Sequence, residues 1–288
     1  MIQGTGSGVG KTILAMALCR IFKQEGYKVA SFKSQNITWN TVITEPGDEI
    51  AVSQLLQSCA AGAEPNANMN PIILKFSPER YDTQVILNGR HFDTVIAQAL
   101  GKIRTNFMSE ISKAYSALSS CYDIIVIEGA GTPISMVETN AKWDDIVNMG
   151  IAKHANAPVL LVSGVEGGGV HASLYGTINL LDEMERKYVK ATIINRFKSD
   201  ISYFTNGIAF LEKITGLPVA GVVPHIKFDI PDEDAPCNEN TQYNPTYNYD
   251  SQFDEIADKV RQSLKMDLVY KILNDGHKDW TDTFYVPH

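Results

Sequence analysis

Nine residues close to the start of the chain combine glycines with a lysine and a threonine. Residues 4–12 read G-T-G-S-G-V-G-K-T and stand directly before a segment with helical periodicity. In such a loop the backbone N–H groups turn towards phosphate oxygens, the lysine reaches the β- and γ-phosphates, and the threonine hydroxyl binds Mg²⁺. The residues predicted to bind the nucleotide are Gly6, Ser7, Gly8, Val9, Gly10, Lys11 and Thr12. The pattern predicts binding of ATP together with Mg²⁺.

The spacing of the loop departs from the usual G-x-x-x-x-G-K-[ST] pattern. Thr5 stands where the first glycine is expected, and Gly4 lies one residue earlier. The alternative is a glycine-rich turn that carries Gly-Lys-Thr by chance, and the long helical pattern that follows argues against it. Only three residues precede Gly4, so we expect a short first strand.

Magnesium in such a site needs a carboxylate besides the loop hydroxyl, because the ion keeps a near-octahedral shell of oxygen atoms. Glu128 ends the apolar run 124–127, where a charged residue is costly unless it faces a ligand crevice. The alternative for Glu128 is a solvated strand end. Glu49, at the start of the helical pattern 50–61, is a weaker second metal ligand. Asp48 could replace it, or either residue could cap that helix.

Two further polar residues follow predicted strands. Lys33 would stabilise charge on a transferring phosphoryl group or bind a substrate carboxylate, unless it is a solvated strand-end lysine. Asn195 is placed to read an adenine edge through its amide, or else makes a turn. Residues 167–169 are three glycines that either let a ligand approach the backbone or form a flexible loop. We expect Lys11, Lys33 and Glu128 to take part in catalysis.

Short β-branched runs alternate along the chain with segments of helical period. The predicted strands are residues 28–32, 124–128, 158–162, 191–194 and 219–223. Alternation of this kind is typical of an α/β fold with a doubly wound, mostly parallel sheet. Strands buried on both faces are apolar throughout, as residues 124–127 and 159–162 are. Ligands of such sheets bind outside the carboxyl ends of the strands, where the polar residues above are found.

The predicted domain organisation is simple. Residues 1–234 form the nucleotide-binding domain, and residues 235–252 form a linker rich in Pro, Asn, Asp, Glu and Tyr without periodicity. Residues 253–288 form a C-terminal helical tail. Apolar residues at helical spacing over residues 253–272 predict that this tail docks on the domain.

The composition excludes several classes of protein. The 288 residues include 25 basic and 33 acidic side chains, and this net charge of -8 argues against general affinity for nucleic acid or anionic membranes. No apolar run approaches the roughly 20 residues that cross a bilayer. The four cysteines are widely spaced, which is typical of a reducing compartment, so we expect a cytoplasmic protein.

Two kinds of catalytic site are missing from the sequence. No cysteine lies in a G-x-C-x-G elbow and no H-x-E pair follows, so we expect no glutaminase triad of the Cys-His-Glu type in this chain. The six histidines form no H-x-x-x-H pair that would bind a metal.

Eight motifs together resemble one family. They lie at residues 1–5 with 10–12, 17–22, 32–36, 69–75, 128–131, 146–150, 168–170 and 194–197. In this combination the chain resembles the ATP-dependent synthetase domain of cobyric acid synthases, which has a P-loop NTPase-like fold related to dethiobiotin synthetase. The resemblance covers residues 1–234. Residues 256–273 resemble the end of the same family, rejoined after loss of the glutaminase domain.

The resemblance implies an activity. In that family ATP activates corrinoid side-chain carboxylates, and ammonia from a glutaminase domain converts them to carboxamides. By motif position the resemblance implies phosphate binding by Gly10, Lys11 and Thr12, metal binding by Glu128 and Glu49, and adenine binding by Asn195. It further implies a small-molecule carboxylate as substrate, with ammonia taken from a separate glutaminase partner or from solution. We also expect a homodimer.

Three segments depart from the family pattern, namely residues 131–138, 164–169 and 76–79. The nucleotide motifs are kept while these neighbouring segments differ, so the acceptor is left open. One alternative is a related ligase that acts on another carboxylate or amine, as dethiobiotin synthetase does. The other is a nucleotide-switched ATPase that synthesises nothing, although such proteins carry a second lysine early in the loop.

Overall fold

The computed structural model describes residues 1–77, 79–96, 107–134, 145–228, 230 and 248–278. Its strands are β1 Ile2–Gly4, β2 Val29–Phe32, β3 Gln35–Ile37, β4 Thr41–Ile43, β5 Glu49–Ala51, β6 Ile72–Ser77, β7 Asp82–Leu87, β8 Arg90–Ile96, β9 Ile124–Ile127, β10 Val159–Gly164, β11 Val189–Phe197 and β12 Val219–Pro224. Its helices are α1 Lys11–Gln24, α2 Val52–Ala61, α3 Phe107–Ser119, α4 Met149–Ala155, α5 Val170–Leu180, α6 Glu183–Arg186, α7 Thr205–Thr215, α8 Asp250–Ser263 and α9 Met266–Lys278. Three 3₁₀ turns cover Ala67–Met69, Glu166–Gly168 and Ile201–Phe204. Pro78, residues 135–138, most of the predicted linker at 235–247 and the end of the tail at 279–288 lie outside the described residues.

The main sheet is parallel. Strand β1 pairs with β10, which pairs in turn with β11 and β12, and β2 pairs with β9. A parallel bridge between Ile2 and Glu128 places β1 beside β9, and the Gly129 N–H donates to the Ile2 carbonyl at 2.8 Å. The order is therefore β2, β9, β1, β10, β11, β12. The predicted α/β fold is confirmed, and the short first strand lies in the interior of the sheet.

Side chains of β10 alternate between two hydrophobic layers. Leu160 and Val162 pack in the layer that contains α1, while Val159 and Leu161 pack in the layer that contains α5. Successive residues of a strand point to opposite faces, so an all-apolar strand must be covered on both. This explains why residues 159–162 of β10 are all apolar, whereas Ser163 near the end of the strand is polar.

An antiparallel extension was missing from the sequence prediction. Strand β3 pairs in parallel with β6, and β6, β7 and β8 form an antiparallel meander. The turn between β7 and β8 contains Asn88 and Gly89, with φ angles of 49° and 75°. Asn-Gly is the favoured pair for such a tight turn, because both positions need a positive φ.

The helical pattern from residue 50 begins later than predicted. Glu49 lies in β5, which pairs antiparallel with β4, and α2 begins only at Val52. The apolar residues Ile50 and Ala51 fit either element by spacing, and the β4 partner decides between them.

The C-terminal helices pack against the helix that follows the glycine loop. Phe253, Ile256 and Val260 of α8 are buried in the same core as α1. The Lys265 N–H donates to the Ala220 carbonyl of β12 at 2.7 Å. The segment from residue 250 thus joins the main core, as its amphipathic pattern predicts, although it forms two helices. Among the described helices, none is both long and apolar enough to cross a membrane.

Candidate functional site

The glycine loop connects β1 to α1 and needs glycine at specific positions. A Cβ atom at Gly4 would lie 2.7 Å from Cγ2 of Val9, and one at Gly10 would lie 2.1 Å from Nδ2 of Asn195. Gly8 and Gly10 also have positive φ angles of 70° and 94°. Larger residues at Gly4 and Gly10 would therefore displace the atoms that shape the loop.

Helix α1 begins at Lys11 without a side-chain cap. The N-cap position is occupied by Gly10, which has no side chain that could cap the helix. No acidic residue lies in the first turn. The first N–H groups of a helix have no partner within the helix and carry partial positive charge. This end of α1 therefore fits the phosphate groups of a nucleotide.

Lys11 spans the mouth of the loop. Its Nζ donates to the carbonyl of Gly6 at 2.9 Å and to the carbonyl of Gly131 at 3.3 Å. Gly131 belongs to the segment after β9, so the lysine joins the glycine loop to that segment. A cavity of about 150 Å³ opens beside it. The cavity is lined by residues of the glycine loop and α1 and by Lys33, Gln35, Ser53, Glu128 and Gly131, among others.

Glu128 is the centre of a buried polar cluster. Its Oε1 accepts hydrogen bonds from the Thr12 hydroxyl at 2.9 Å and from Nζ of Lys33 at 3.0 Å. Its Oε2 accepts a hydrogen bond from Nε2 of Gln57 at 2.5 Å. Only 1% of Glu128 is exposed. Burying a carboxylate costs free energy unless it is hydrogen-bonded or ion-paired, and these three donors provide those contacts.

Strand register explains why Lys33 and Glu128 meet. Phe32 of β2 is paired with Ile127 of β9, and the two strands are parallel. The next residue of each strand therefore emerges at the same level at the carboxyl end of the sheet. Thr12, in the first turn of α1, faces the same point because β1 lies next to β9. The structure thus brings together three of the predicted site residues.

The Thr12 hydroxyl and the Glu128 carboxylate suit a magnesium ion. Both supply hard oxygen atoms, and Mg²⁺ in proteins commonly takes one or two such ligands with phosphate oxygens and water. In the part of the chain that the structure describes, no three His, Cys, Asp or Glu side chains are grouped so that they could hold a metal ion by themselves. The donor set therefore fits Mg²⁺ held jointly with a nucleotide, and it does not resemble a closed zinc site.

Glu49 and Asp48 are not brought to this cluster. The Glu49 carboxylate accepts a hydrogen bond from the Thr41 hydroxyl at 2.5 Å and forms an ion pair with Lys75. Asp48 pairs with Arg90 at 3.1 Å. Neither residue lines the cavity beside Lys11. A metal-binding role for Glu49 stays a prediction, and the helix cap considered for these residues is wrong, because α2 begins at Val52 after the strand.

Asn195 lies against the glycine loop. Its Nδ2 donates to the Val9 carbonyl at 2.9 Å, and its own carbonyl accepts from the Val165 N–H at 3.2 Å. The side chain is only 6% exposed. In this arrangement Asn195 holds the loop, and its predicted contact with adenine stays a prediction.

The amino-acid sequence also matches a known family over most of its length. A protein-family model described as an AAA domain matches residues 1–228. The chain belongs to this AAA-domain family.

Curated relatives of this chain include cobyric acid synthases. The enzyme of Clostridium tetani is 47% identical over 244 residues, which cover 85% of this chain and 49% of the relative. That of Clostridium acetobutylicum is 45% identical over 287 residues, covering 97% and 58%. The family resemblance drawn from the motifs is confirmed. This chain spans about half the length of the curated relatives it matches.

Two solved structures are also similar to this chain. Cobyrinic acid a,c-diamide synthase from Mycobacterium smegmatis, with a bound ATP analog and magnesium, matches with a TM-score of 0.41 and 13% identity, covering 79% of this chain and 86% of that one. The MinD cell division protein of Aquifex aeolicus matches with a TM-score of 0.42 and 13% identity, covering 100% and 98%.

Two polar residues at this site, Gln57 and Arg196, were not predicted from the sequence. Gln57 donates to Glu128, and its position three residues after Gln54 in the predicted helical pattern 50–61 is the sequence signal that indicates it. Arg196 lines the cavity with a positive φ of 61° and forms an ion pair with Glu166 at 2.9 Å. The hydrogen bond from Arg196 lowers the pKa of the Glu166 carboxyl below its usual value. Glu166 begins the 3₁₀ turn of the predicted glycine segment, in which Gly168 has a φ of 75°.

Proposed function

We propose that this chain is the ATP-dependent synthetase part of a carboxylate-amidating ligase of the cobyric acid synthase type. The observation that carries the proposal is the cluster of Thr12, Lys33 and Glu128 beside the uncapped start of α1. The curated relatives named cobyric acid synthase support it, since their matches cover 85% and 97% of this chain.

Each residue of the cluster has a role in the proposed reaction. The N–H groups of residues 6–10 and the Lys11 ammonium bind the phosphates of ATP. Thr12 and Glu128 hold Mg²⁺, and Glu49 is proposed as a further metal ligand reached through a rearrangement of its pair with Lys75. Bound Mg²⁺ would neutralise charge on the β- and γ-phosphates. Asn195 would contact adenine while it continues to hold the loop.

The proposed chemistry has two steps. A carboxylate oxygen of the substrate attacks the γ-phosphorus of ATP, the bond to the β,γ-bridging oxygen breaks, and ADP leaves. Ammonia then attacks the carbonyl carbon of the acyl phosphate, loses a proton, and expels inorganic phosphate to leave an amide. Free carboxylates are poor electrophiles, so the first step is what makes the second possible.

Lys33 is placed to serve the first step. Its ammonium group is held by Glu128 at the cavity wall, on the side where strand β2 ends. A fixed cation in a water-poor cavity stabilises the negative charge that develops on a transferring phosphoryl group and costs no reorganisation. Lys11 lines the same cavity and supplies a second cation.

The acceptor and the ammonia source are proposed from the relatives. We propose a corrinoid side-chain carboxylate as substrate, with ammonia taken from solution or from a separate glutaminase, and a homodimer as the assembly. Residues 164–169 depart from the family pattern, so another carboxylate is the alternative substrate.

The test is amide synthesis by the purified chain. The protein is incubated with ATP, Mg²⁺, ammonium and cobyrinic acid a,c-diamide, and carboxamides are detected by mass spectrometry while ADP and phosphate are quantified. We expect one ADP per amide bond, with no product in the Lys11→Ala variant and normal product in the exposed-lysine control Lys113→Ala. Steady ATP hydrolysis that is indifferent to any carboxylate, with no amide at saturating ammonium, would contradict the proposal.

A further inference from the structure

Helix α2 presents two fully buried glutamines to the polar cluster. Gln54 and Gln57 are three residues apart, so they lie on the same face of the helix, and both are 0% exposed. Burying an amide costs free energy unless its donors and acceptors are paired. The partners of these two side chains therefore show what the helix is built to hold.

The two amides belong to one chain of hydrogen bonds. The Ser31 hydroxyl donates to Oε1 of Gln54 at 3.3 Å, and Nε2 of Gln54 donates to Oε1 of Gln57 at 3.1 Å. Nε2 of Gln57 then donates to Oε2 of Glu128 at 2.5 Å. We call Ser31, Gln54 and Gln57 the amide relay.

The direction of the amide relay follows from its last member. Oε2 of Glu128 accepts the hydrogen bond at this end, and the amide nitrogen is the only donor of the Gln57 side chain, so Gln57 turns that nitrogen towards Glu128. Its carbonyl oxygen then faces Gln54, which must present its own nitrogen, and the Ser31 hydroxyl satisfies the remaining oxygen. Each amide orientation is set by the next, which leaves no rotational choice at Gln57.

We propose that Gln57 is a positioning residue for Glu128, and that Gln54 and Ser31 keep its amide in the orientation that this task requires. Gln57 holds Oε2, so that Oε1 points towards the Thr12 hydroxyl and Lys33, where the metal and the phosphate are expected. The inference rests on the proposed function, since it concerns Glu128 as a magnesium ligand. Residues that hold a metal ligand in place typically change metal affinity or activity by about 10- to 100-fold when they are replaced.

The test compares Gln57→Leu with the wild-type protein in a binding assay. Binding of a fluorescent ATP analogue is titrated in the absence of Mg²⁺, and the Mg²⁺ concentration for half-maximal binding is then measured. We expect this Mg²⁺ concentration to rise about 10- to 100-fold in Gln57→Leu, while binding without Mg²⁺ is unchanged. A merely structural role for Gln57 would weaken both measurements alike.

Ser58→Ala is the matched control. Ser58 lies on the same helix, is 0% exposed, and donates only to the Leu55 carbonyl of its own helix at 2.7 Å. We expect no change in its Mg²⁺ requirement. An equal shift in Ser58→Ala would assign the effect to α2 as a whole and overturn the proposal.

Gln54→Met provides a second, independent variant. It keeps the length of the side chain but removes the donor that orients Gln57, without touching Glu128. We expect a smaller rise in the Mg²⁺ requirement than in Gln57→Leu. The proposal is overturned if Gln57→Leu keeps the wild-type Mg²⁺ requirement or, should that variant not fold, if Gln54→Met does.

The assay separates this inference from the proposed function, because it requires no amide synthesis. A wild-type protein that binds the nucleotide with Mg²⁺ dependence but makes no amide contradicts only the proposed reaction. A wild-type protein without any Mg²⁺ dependence contradicts both the metal site and the amide relay.

Discussion

The Thr12 hydroxyl donates a hydrogen bond to Oε1 of Glu128 at 2.9 Å, although the two residues are 116 positions apart in the chain. Thr12 lies in the first turn of helix α1 and Glu128 follows strand β9, so the contact fixes the position of the glycine loop relative to the sheet. The predictions below test this arrangement and the parts of the fold that maintain it.

Replacing the Thr12 hydroxyl should impair Mg²⁺ binding without unfolding the protein. In Thr12→Val a methyl group takes the place of the hydroxyl, and we expect the Mg²⁺ concentration for half-maximal activity to rise by about 10- to 100-fold. Thr12→Ser, which keeps the hydroxyl, is the control and should remain within a few-fold of the wild type. Equal Mg²⁺ requirements in the two variants would argue against Thr12 as a metal ligand.

The buried pair of Lys33 and Glu128 should couple strongly in stability. Their side chains are 7% and 1% exposed, and removal of one partner from such a pair costs about 3–5 kcal/mol because the other charge is left buried. We expect Lys33→Met and Glu128→Gln each to lower the free energy of unfolding, measured by urea denaturation. The double variant should lose less free energy of unfolding than the sum of the losses in the two single variants.

The exposed pair of Lys187 and Glu183, 63% and 89% exposed, is the control for that cycle. Its coupling energy should be about 0–1 kcal/mol. A coupling at Lys33 and Glu128 no larger than this would mean that solvent reaches the cluster.

Gly10 and Gly26 allow the role of the glycine loop to be separated from backbone strain. Their φ angles are 94° and 92°, so alanine is strained at both positions and should cost about 1–2 kcal/mol of stability. A Cβ atom at Gly26 meets nothing within 4 Å, whereas one at Gly10 collides with Nδ2 of Asn195. We expect only Gly10→Ala to lose nucleotide affinity, measured by calorimetry.

The double variant Gly10→Ala with Asn195→Ala tests the same contact from the other side. Removing the Asn195 amide relieves the collision, so the double variant should be more stable than Gly10→Ala alone. No recovery of stability would show that the strain at residue 10 is the only cost.

The pair of Arg20 and Asp254 should make stability depend on pH at the acid end. The hydrogen bond from Arg20, at 2.7 Å, lowers the pKa of Asp254 below its ordinary value of 3.8. A group with a lowered pKa in the folded state contributes stability above its ordinary pKa and loses it as the pH falls through the lowered one. Asp254→Asn should therefore lower the melting temperature at pH 7, and the difference from the wild type should shrink below pH 3.8.

Glu255→Gln is the matched control on the same helix. Glu255 forms an exposed i,i+4 pair with Lys259 at 2.5 Å and does not contact α1 through that pair. We expect a change of only about 0.3–0.5 kcal/mol at pH 7. An equal loss in the two variants would indicate that the docking of α8 on α1 does not depend on Arg20.

Residue types near the ends of apolar runs were enough to predict much of the site. Lys11, Thr12, Lys33 and Glu128 were named because glycine loops and strand ends follow local rules that a single sequence displays. The same rules predicted the parallel strands, since a strand covered on both faces must be apolar throughout.

Partners of the polar side chains were not predictable in the same way. Glu49 has the residue type of a metal ligand and follows a plausible pattern, yet it pairs with Lys75 on strand β6. Asn195 was predicted to follow a strand that ends at residue 194, yet β11 continues to Phe197, and the amide nitrogen of Asn195 contacts the backbone of Val9. Both outcomes depend on segments that lie far away in the sequence.

The sequence by itself determined the glycine loop, the α/β class and the family to which the chain belongs, because these depend on short segments and on their spacing. Only the tertiary structure decided that Glu128 is shared by Thr12, Lys33 and Gln57. The physical reason is that a buried carboxylate takes its partners from whichever elements pack around it, and strand register and helix rotation settle which side chains those are.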